Sequence, residues 1–473
     1  MTAPERPTAL LILTSVGAFM APLDGSILSV ALPVIGADLQ LTFAATLWTQ
    51  ASYLLTMAVL LLPLGRLADA RGRLAAYLVG AGVFTLGSLL AALAHGAGLL
   101  LAGRVVQGIG GALLGATSAA LVTAAFPREA RGRALGINVM AVYAGLSVGP
   151  PLGGLLVEVA SWRWIFLVNL PVGVLVLAWG WVLLRKEPAT TQRPENLDGV
   201  SVLLLALALL GLLVPLSLAS HWGWSAPTTW VPLALAGPLG VAFWLRQRSR
   251  CHPLIDMSRV AHRRTFLAAS GAALLNYTAL FAIGLLTAAH LQLALGLSPR
   301  TAGWILLGQP LTQAVLAPVA GRLSDRLGSR ILATAGMVLV ALGMAMLAAL
   351  GGGTSLPPMV LALAVVGLGL AAFSAPNTSA VMGSVSLPDL SFAGAFLATM
   401  RVLGMALSVA LLGGIAAHGL GPGGWKALLA GGGDPAAVAA FVQGYRWAMA
   451  VGALLALLGA WASLVREPRE LPA

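Results

Sequence analysis

The chain has one cysteine, Cys251, which excludes an intrachain disulfide and any cysteine-built metal cluster. Its six histidines are scattered and lack the spacings that ligate zinc. No phosphate-binding Gly-x-x-x-x-Gly-Lys-Ser/Thr loop occurs, so ATP is not expected to supply energy. No nucleophile–base constellation is readable, and the chain is not expected to be an enzyme. Charge is scarce: Asp, Glu, Lys and Arg make up 9% of residues, far below the usual share in a soluble domain. Acids are scarcer still, 15 Asp and Glu against 27 Lys and Arg. Such an excess can mark a nucleic-acid binder. Here the cations sit in short segments between apolar runs and form no basic face, so no nucleic-acid partner is expected.

What fills the chain is hydrocarbon: 59% of its 473 residues are hydrophobic. Apolar runs of roughly 18 residues or more read as membrane-spanning helices. Fourteen are expected, at about 9–32, 44–64, 74–95, 98–125, 134–158, 164–184, 199–220, 228–245, 265–291, 301–320, 331–350, 356–383, 390–416 and 444–465. The first run follows only Glu5 and Arg6 and reads as a span, not a cleaved signal. With the N-terminus inside, Arg163, Arg300, Lys426 and Arg446 fall outside, Arg104 and Arg401 lie within spans, and every other Lys and Arg falls inside. That bias is the positive-inside pattern. The expectation is an all-α, multi-pass protein of the cell membrane, surrounded by lipid, with both termini cytoplasmic. Trp162, Trp164, Trp222 and Trp224 read as interfacial anchors. Gly351–Gly353 and Gly421–Gly433 read as flexible outer connections.

A short charged segment, Gly65-Arg66-Leu67-Ala68-Asp69-Ala70-Arg71-Gly72-Arg73, follows the second run, and a near copy, Gly321 to Arg330 with Asp325, follows the tenth. Setting the seventh and eighth runs aside puts the copies at equivalent places in two six-helix halves. The expected plan is a bundle over 1–184, a linker with two extra helices over 185–264, and a second bundle over 265–473. Both charged segments read as loops, with Asp69 and Asp325 capping the next helix or pairing with nearby Arg, a contact able to latch one state.

Intramembrane polar residues carry the functional signal. Asp24 is the acid that falls firmly within a span. Low dielectric disfavours a charged carboxylate, which makes Asp24 a candidate proton carrier. Arg104 in the fourth run is the candidate partner. At a rise of about 1.5 Å per residue the two fall at the same depth. The pair suggests a switch in which the guanidinium holds the carboxylate ionised and its departure admits a proton; a static pair tying two helices is the alternative. In the fifth run, Gly145, Gly149, Pro150 and Gly153 set small residues at four-residue spacing beside a proline kink, a packing motif when read alone. Gln50, Tyr53, Asn138, Tyr143, Asn276, Tyr277, Gln309, Gln313, Asn377 and Arg401 are candidates to line a substrate cavity or to bond between helices.

The segments Asp24–Pro33, Gly65–Arg73, Arg104–Gly111, Gly145–Gly154, Trp162–Pro171, Pro253–Phe266 and Arg401–Gly404 together resemble the fourteen-helix drug:proton antiporter branch of the major facilitator superfamily. Gly65–Arg73 is similar to that superfamily's signature loop, and Gly145–Gly154 to the antiporter motif of its exporters. The resemblance implies alternating access of two halves around a central cavity, driven by proton influx, with no cofactor and with a small-molecule substrate and protons as partners. Three departures stand out. Ser26 and Ser29 replace the usual Thr and Asn. The second charged loop is degenerate. The additional intramembrane acids of dication exporters are missing, so lipophilic neutral or singly charged compounds fit better. The expected function is proton-coupled export of drugs or other amphipathic molecules. A dedicated exporter of one endogenous metabolite or antibiotic would carry the same motifs. An uptake carrier is disfavoured by the fifth-run motif, and a non-transporting receptor by the duplicated loops.

Overall fold

Inside hydrocarbon a backbone amide has no water to bond, so each apolar run must close its own hydrogen bonds as a helix. A computed structural model of the chain describes residues 5–185, 198–223, 225–250, 253, 264–351, 355–385, 390–429 and 434–465. In chain order the helices are α1 (Glu5–Asp38), α2 (Phe43–Arg71), α3 (Arg73–Ala92), α4 (Ala97–Ala125), α5 (Arg128–Val159), α6 (Trp164–Leu167), α7 (Asn169–Leu184), α8 (Gly199–Trp222) and α9 (Pro227–Arg248). There follow α10 (Arg264–Ala289), a π-helical turn at His290–Ala294, α11 (Pro299–Leu306), α12 (Gly308–Leu327), α13 (Ser329–Ala349), α14 (Leu356–Gly383), α15 (Leu390–Ala416), α16 (Gly421–Leu429) and α17 (Pro435–Leu464).

The chain divides into two compact units. Unit 1 comprises Met1–Leu210, Ala236–Arg246 and Ser298–Gly303. Unit 2 comprises Gly211–Leu235, Gln247–Leu297 and Trp304–Ala473. Within unit 1, α1 packs on α5, α2 and α3 on α4, and α3 on α7. Within unit 2, α10 packs on α15, α12 and α13 on α14, and α13 on α17. The same packing plan therefore occurs twice. Small residues build matching seams in both. A Cβ on Gly87 of α3 would lie 2.5 Å from the backbone nitrogen of Gln107 in α4. Cβ atoms on Gly336 of α13 and Gly369 of α14 would each lie 2.6 Å from the other glycine's carbonyl oxygen. Without a hydrophobic drive between helices in lipid, such close backbone approach is what holds them together.

Among the described residues, thirteen helical segments are long and apolar enough to cross a membrane. The tenth expected span, about 301–320, is the one not among them; it falls on α11 and α12, which are parted at Leu307. Neither meets that measure: α11 is eight residues long, and α12 ends in Arg322, Asp325 and Arg326.

The two charged segments are not loops. α2 continues through Arg71, and the interruption is Gly72 alone, at φ 104°, whose N–H still donates to the Ala68 carbonyl at 3.0 Å. Gly328 repeats this at φ 84°, donating to Ser324 at 2.9 Å. Charged residues do not end a helix; a residue at positive φ does, and glycine tolerates it. Neither Gly72 before α3 nor Gly328 before α13 offers a side-chain cap, and Asp69 does not cap α3. Asp69 Oδ1 instead accepts from Arg73 Nε at 2.6 Å, across the break. Both partners are exposed, so the pair is worth at most about 1 kcal/mol. The side chain of Asp325 lies outside the described residues.

Two other expectations change. Gly421–Leu429 is α16 and not a flexible connection: Trp425 and Leu428 are buried, and Trp425 meets Phe441 of α17. Trp162 is buried, not an interfacial anchor. Its Nε1 donates to Asp38 at 2.8 Å, Arg163 lies over its ring, and Arg163 Nη1 pairs with Asp38 at 3.2 Å. Trp164 is exposed, and Trp224 lies outside the described residues. Most of the charged stretches on either side of the two extra helices, 185–198 and 246–264, is also outside them, Asp256 included. At their described edges, Arg246 Nε and Nη2 bond both oxygens of Asp198 at 2.9 Å, and Ser201 donates to the same carboxylate at 2.7 Å.

Candidate functional site

The α1, α2, α3 and α4 side chains meet α7 in a wholly buried polar cluster of unit 1. Asp24 of α1 is 1% exposed and Arg104 of α4 is 0% exposed. Arg104 Nη1 donates to Asp24 Oδ2 at 2.5 Å and to Gln107 Oε1 at 2.6 Å, and Nε donates to the Thr49 carbonyl of α2 at 2.8 Å. The other carboxylate oxygen, Oδ1, accepts from Gln107 Nε2 at 3.0 Å and from Asn169 Nδ2 at 2.9 Å. Both amides also reach Ser88 Oγ of α3, at 2.6 and 3.3 Å. The guanidinium lies over the Tyr53 ring, 4.6 Å from its centroid, with Phe166 beyond at 6.0 Å. Arg104 Nη2 and Asn169 Oδ1 have no hydrogen-bond partner among the described residues.

Local structure explains the convergence. Gln107 stands three residues after Arg104, so both share one face of α4. The break at Val168, between α6 and α7, sets Asn169 at the first position of α7. Small residues at the α3–α4 seam bring Ser88 into reach. Sequence reasoning singled out Asp24, Arg104 and Tyr53 but missed Gln107, Asn169 and Ser88. The spacing Arg104–Gln107 was the available signal, since an amide one turn from a buried guanidinium is placed to share its partner.

The α5 motif packs on the helix that carries Asp24. A Cβ on Gly145 would meet the carbonyl oxygen of Phe19, one on Gly149 would meet Ser26 Oγ, and one on Gly153 would lie 2.7 Å from the Ile27 carbonyl oxygen. Ser26 Oγ bonds across the seam to the Gly145 carbonyl at 3.2 Å, whereas Ser29 bonds back to Ser26 of its own helix at 2.6 Å. Pro150 backs onto Gly303, whose Cβ would meet its carbonyl oxygen. Gly65 packs on Ala116 of α4, and Arg71 is the exposed last residue of α2. Gly149→Val should therefore force α5 off α1, at a cost of about 1–3 kcal/mol typical of overpacking. Thermal melting of the purified protein should fall for this variant but not for Gly271→Val, because a Cβ on Gly271 meets nothing within 4 Å. Equal melting of the two variants would show the seam to be loose.

The remaining cavity candidates separate. Asn138 is a helix-to-helix bond, donating to Ser118 Oγ at 3.2 Å. Gln50 and Asn276 are buried, and neither amide has any hydrogen-bond partner among the described residues. Gln313 and Asn377 are buried; Tyr143 and Gln309 are half-buried. Arg401 of α15 donates from Nη2 to Thr378 of α14 at 2.6 Å, and its Cζ lies 5.8 Å from the Tyr277 ring centroid. His290, unremarked in the sequence, is buried in the π-helical turn and stacks on Tyr445 at 4.6 Å.

Many apolar helices, a packing plan used twice and ionisable groups buried within the spans define a multi-pass membrane transporter. Comparison with known proteins agrees. The family model described as Major Facilitator Superfamily matches residues 14–254 and 269–473. The chain belongs to the Major Facilitator Superfamily, and its multidrug-resistance and antibiotic-exporting relatives place it in the drug-efflux branch. It is 37% identical over 71% of its length to "Multidrug resistance protein Stp" of Mycobacterium tuberculosis, of which the match spans 62%. It is 33% identical over 71% of its length to the "Tetracenomycin C resistance and export protein" of Streptomyces glaucescens, again spanning 62% of that relative. The chain thus spans about three-fifths of the length of these two proteins. It is also 31% identical to "Riboflavin transporter RibZ" of Clostridioides difficile, over 87% of this chain and 88% of RibZ. Among solved structures, a bacterial homolog to the human lysosomal transporter Spinster superposes with a TM-score of 0.69 at 16% identity, covering 97% of this chain and 96% of that one, a likeness of fold alone.

Proposed function

We propose that this protein is a proton-coupled antiporter of the cell membrane that exports drugs or other amphipathic small molecules by alternating access. The observation that carries the reading is the Asp24–Arg104 pair. A carboxylate in hydrocarbon is costly and marks a functional site by default. Here its charge is balanced by one guanidinium, and its second oxygen is held by two neutral amides that also bond each other's serine partner. Withdrawal of Arg104 leaves Asp24 in low dielectric without a counter-charge, and the group then neutralises by taking a proton. The amides of Gln107 and Asn169 keep the carboxyl in place in either state. Within unit 1, Gln50, a buried amide with no hydrogen-bond partner among the described residues, is the favoured contact for substrate.

In this reading the fourteen spans form bundles over 1–184 and 265–473 with two extra helices between, and both termini are cytoplasmic. The α1–α5 seam and the breaks at Gly72 and Gly328 are the places where the bundles bend or part. The name of the multidrug relative supports a broad substrate range. The tetracenomycin C exporter supports a second reading, a dedicated exporter of one endogenous compound, and RibZ widens the chemistry to flavin-like molecules. Resistance profiling in a pump-depleted host separates them: protection against many unrelated lipophiles supports the first reading, and protection against one chemotype the second. The energy source has its own test. Efflux of a lipophilic dye should fall to the level of a non-expressing control when a protonophore is added, and efflux sustained by ATP alone after the gradient has collapsed contradicts antiport.

A further inference from the structure

Arg401 is an intramembrane charge that the Asp24 cluster does not use. Its immediate contacts are the Thr378 hydroxyl and the Tyr277 ring, and its Nε is shielded with no hydrogen-bond partner among the described residues. The three helices around it, α10, α14 and α15, contain no Asp or Glu. No described carboxylate forms an ion pair with it. Arg104 is the contrast within the same chain. It too lies over a tyrosine, but it also has Asp24, the Gln107 amide and a backbone carbonyl. A guanidinium cannot be neutralised in a protein, and within a span it demands counter-charge or water. A hydroxyl and an aromatic face supply neither. The planar fork keeps donors suited to two oxygens of an oxyanion.

The surroundings fit the rest of such a molecule. One helical turn from Tyr277, Thr378 and Arg401, on the same three helices, lie Ala273, Val381 and Leu397 of an apolar cluster. Phe266 and Phe396 belong to it and meet at 5.3 Å. A cationic group thus borders an aromatic and aliphatic layer.

We propose that Arg401, with Thr378 and Tyr277, binds the anionic group, a carboxylate or sulfonate, of an amphipathic substrate. Its place in export rests on the antiport reading above; the binding itself does not. The matched probes are pyrenebutyrate and its neutral methyl ester, which share one apolar body. Binding to the full-length protein in nanodiscs is read by energy transfer from tryptophan to pyrene, with empty discs subtracted. The acid should bind about tenfold or more tightly than the ester, the range of a charge-assisted hydrogen bond. Arg401→Gln should abolish that preference and Arg401→Lys should retain part of it. Equal affinities in the wild-type protein overturn the anion site, and this comparison needs no variant to fold. An undiminished preference in Arg401→Gln overturns it as well. Intact preference without proton-gradient-driven movement of pyrenebutyrate in proteoliposomes keeps the anion site and removes antiport. Gradient-driven movement of the dye of the preceding section, without any preference for acid over ester, does the reverse.

Discussion

Asp24→Asn is expected to abolish proton-coupled transport while leaving the protein folded in the membrane. Asparagine has nearly the shape of aspartate and keeps an oxygen to accept from Gln107, Asn169 or Arg104, so the packing around a 1%-exposed side chain is preserved. What disappears is the group that, in the proposed mechanism, alternates between a guanidinium and a proton. Proteoliposomes with a lumenal pH dye should show substrate-driven proton movement for the wild type and only the level of empty vesicles for the variant. Asp24→Glu should recover part of the signal, because it restores the titrating group with one methylene too many. Retained gradient-driven transport in Asp24→Asn would remove this carboxylate from the coupling role.

Arg104→Ala should uncouple transport and also destabilise the protein. It strands a buried carboxylate, and breaking a buried pair from one side typically costs about 3–5 kcal/mol. It further empties the volume between Tyr53 and Phe166 and releases the Thr49 carbonyl and the Gln107 side chain. Arg104→Lys retains the charge but cannot reproduce Nε and Nη1 bonding three different acceptors in one plane, so partial stability and poor coupling are expected. The double variant Asp24→Asn with Arg104→Gln separates the two possible roles. If the pair merely ties α1 to α4, the neutral pair should regain both melting temperature and transport. If it couples, stability returns and proton movement does not. Normal antiport in Arg104→Ala reduces the pair to scaffolding.

Much of the architecture was legible because hydrocarbon leaves the backbone few choices. The ends of α14 and α15 coincide with apolar runs read directly from the sequence. The equal depth of Asp24 and Arg104 followed from helical rise alone. Side-chain polarity is a poor guide to backbone conformation here. Asp69 and Arg71 read as loop residues, yet they are the exposed last turns of α2, and a single glycine at positive φ does the breaking. Gly421–Gly433 read as unstructured because glycine is common there, but Trp425 had an aromatic partner in α17. Trp162 read as a lipid-interface residue and instead donates to Asp38.

Composition and periodicity alone determined that this chain crosses a membrane many times, that its plan is duplicated, and that Asp24, Arg104 and Arg401 lie within its spans. Those properties depend on hydrogen bonds within one helix and on the cost of charge in lipid, both of which are local. Only the tertiary structure decided that Gln107, Asn169 and Ser88 complete the Asp24 cluster, that the α5 glycines seat the helix carrying it, and that Arg401 meets a hydroxyl and a ring in place of a carboxylate. Such partners are fixed by where glycine seams let helices approach and by how each helix is rotated about its axis, and neither is written in the order of residues along a single span.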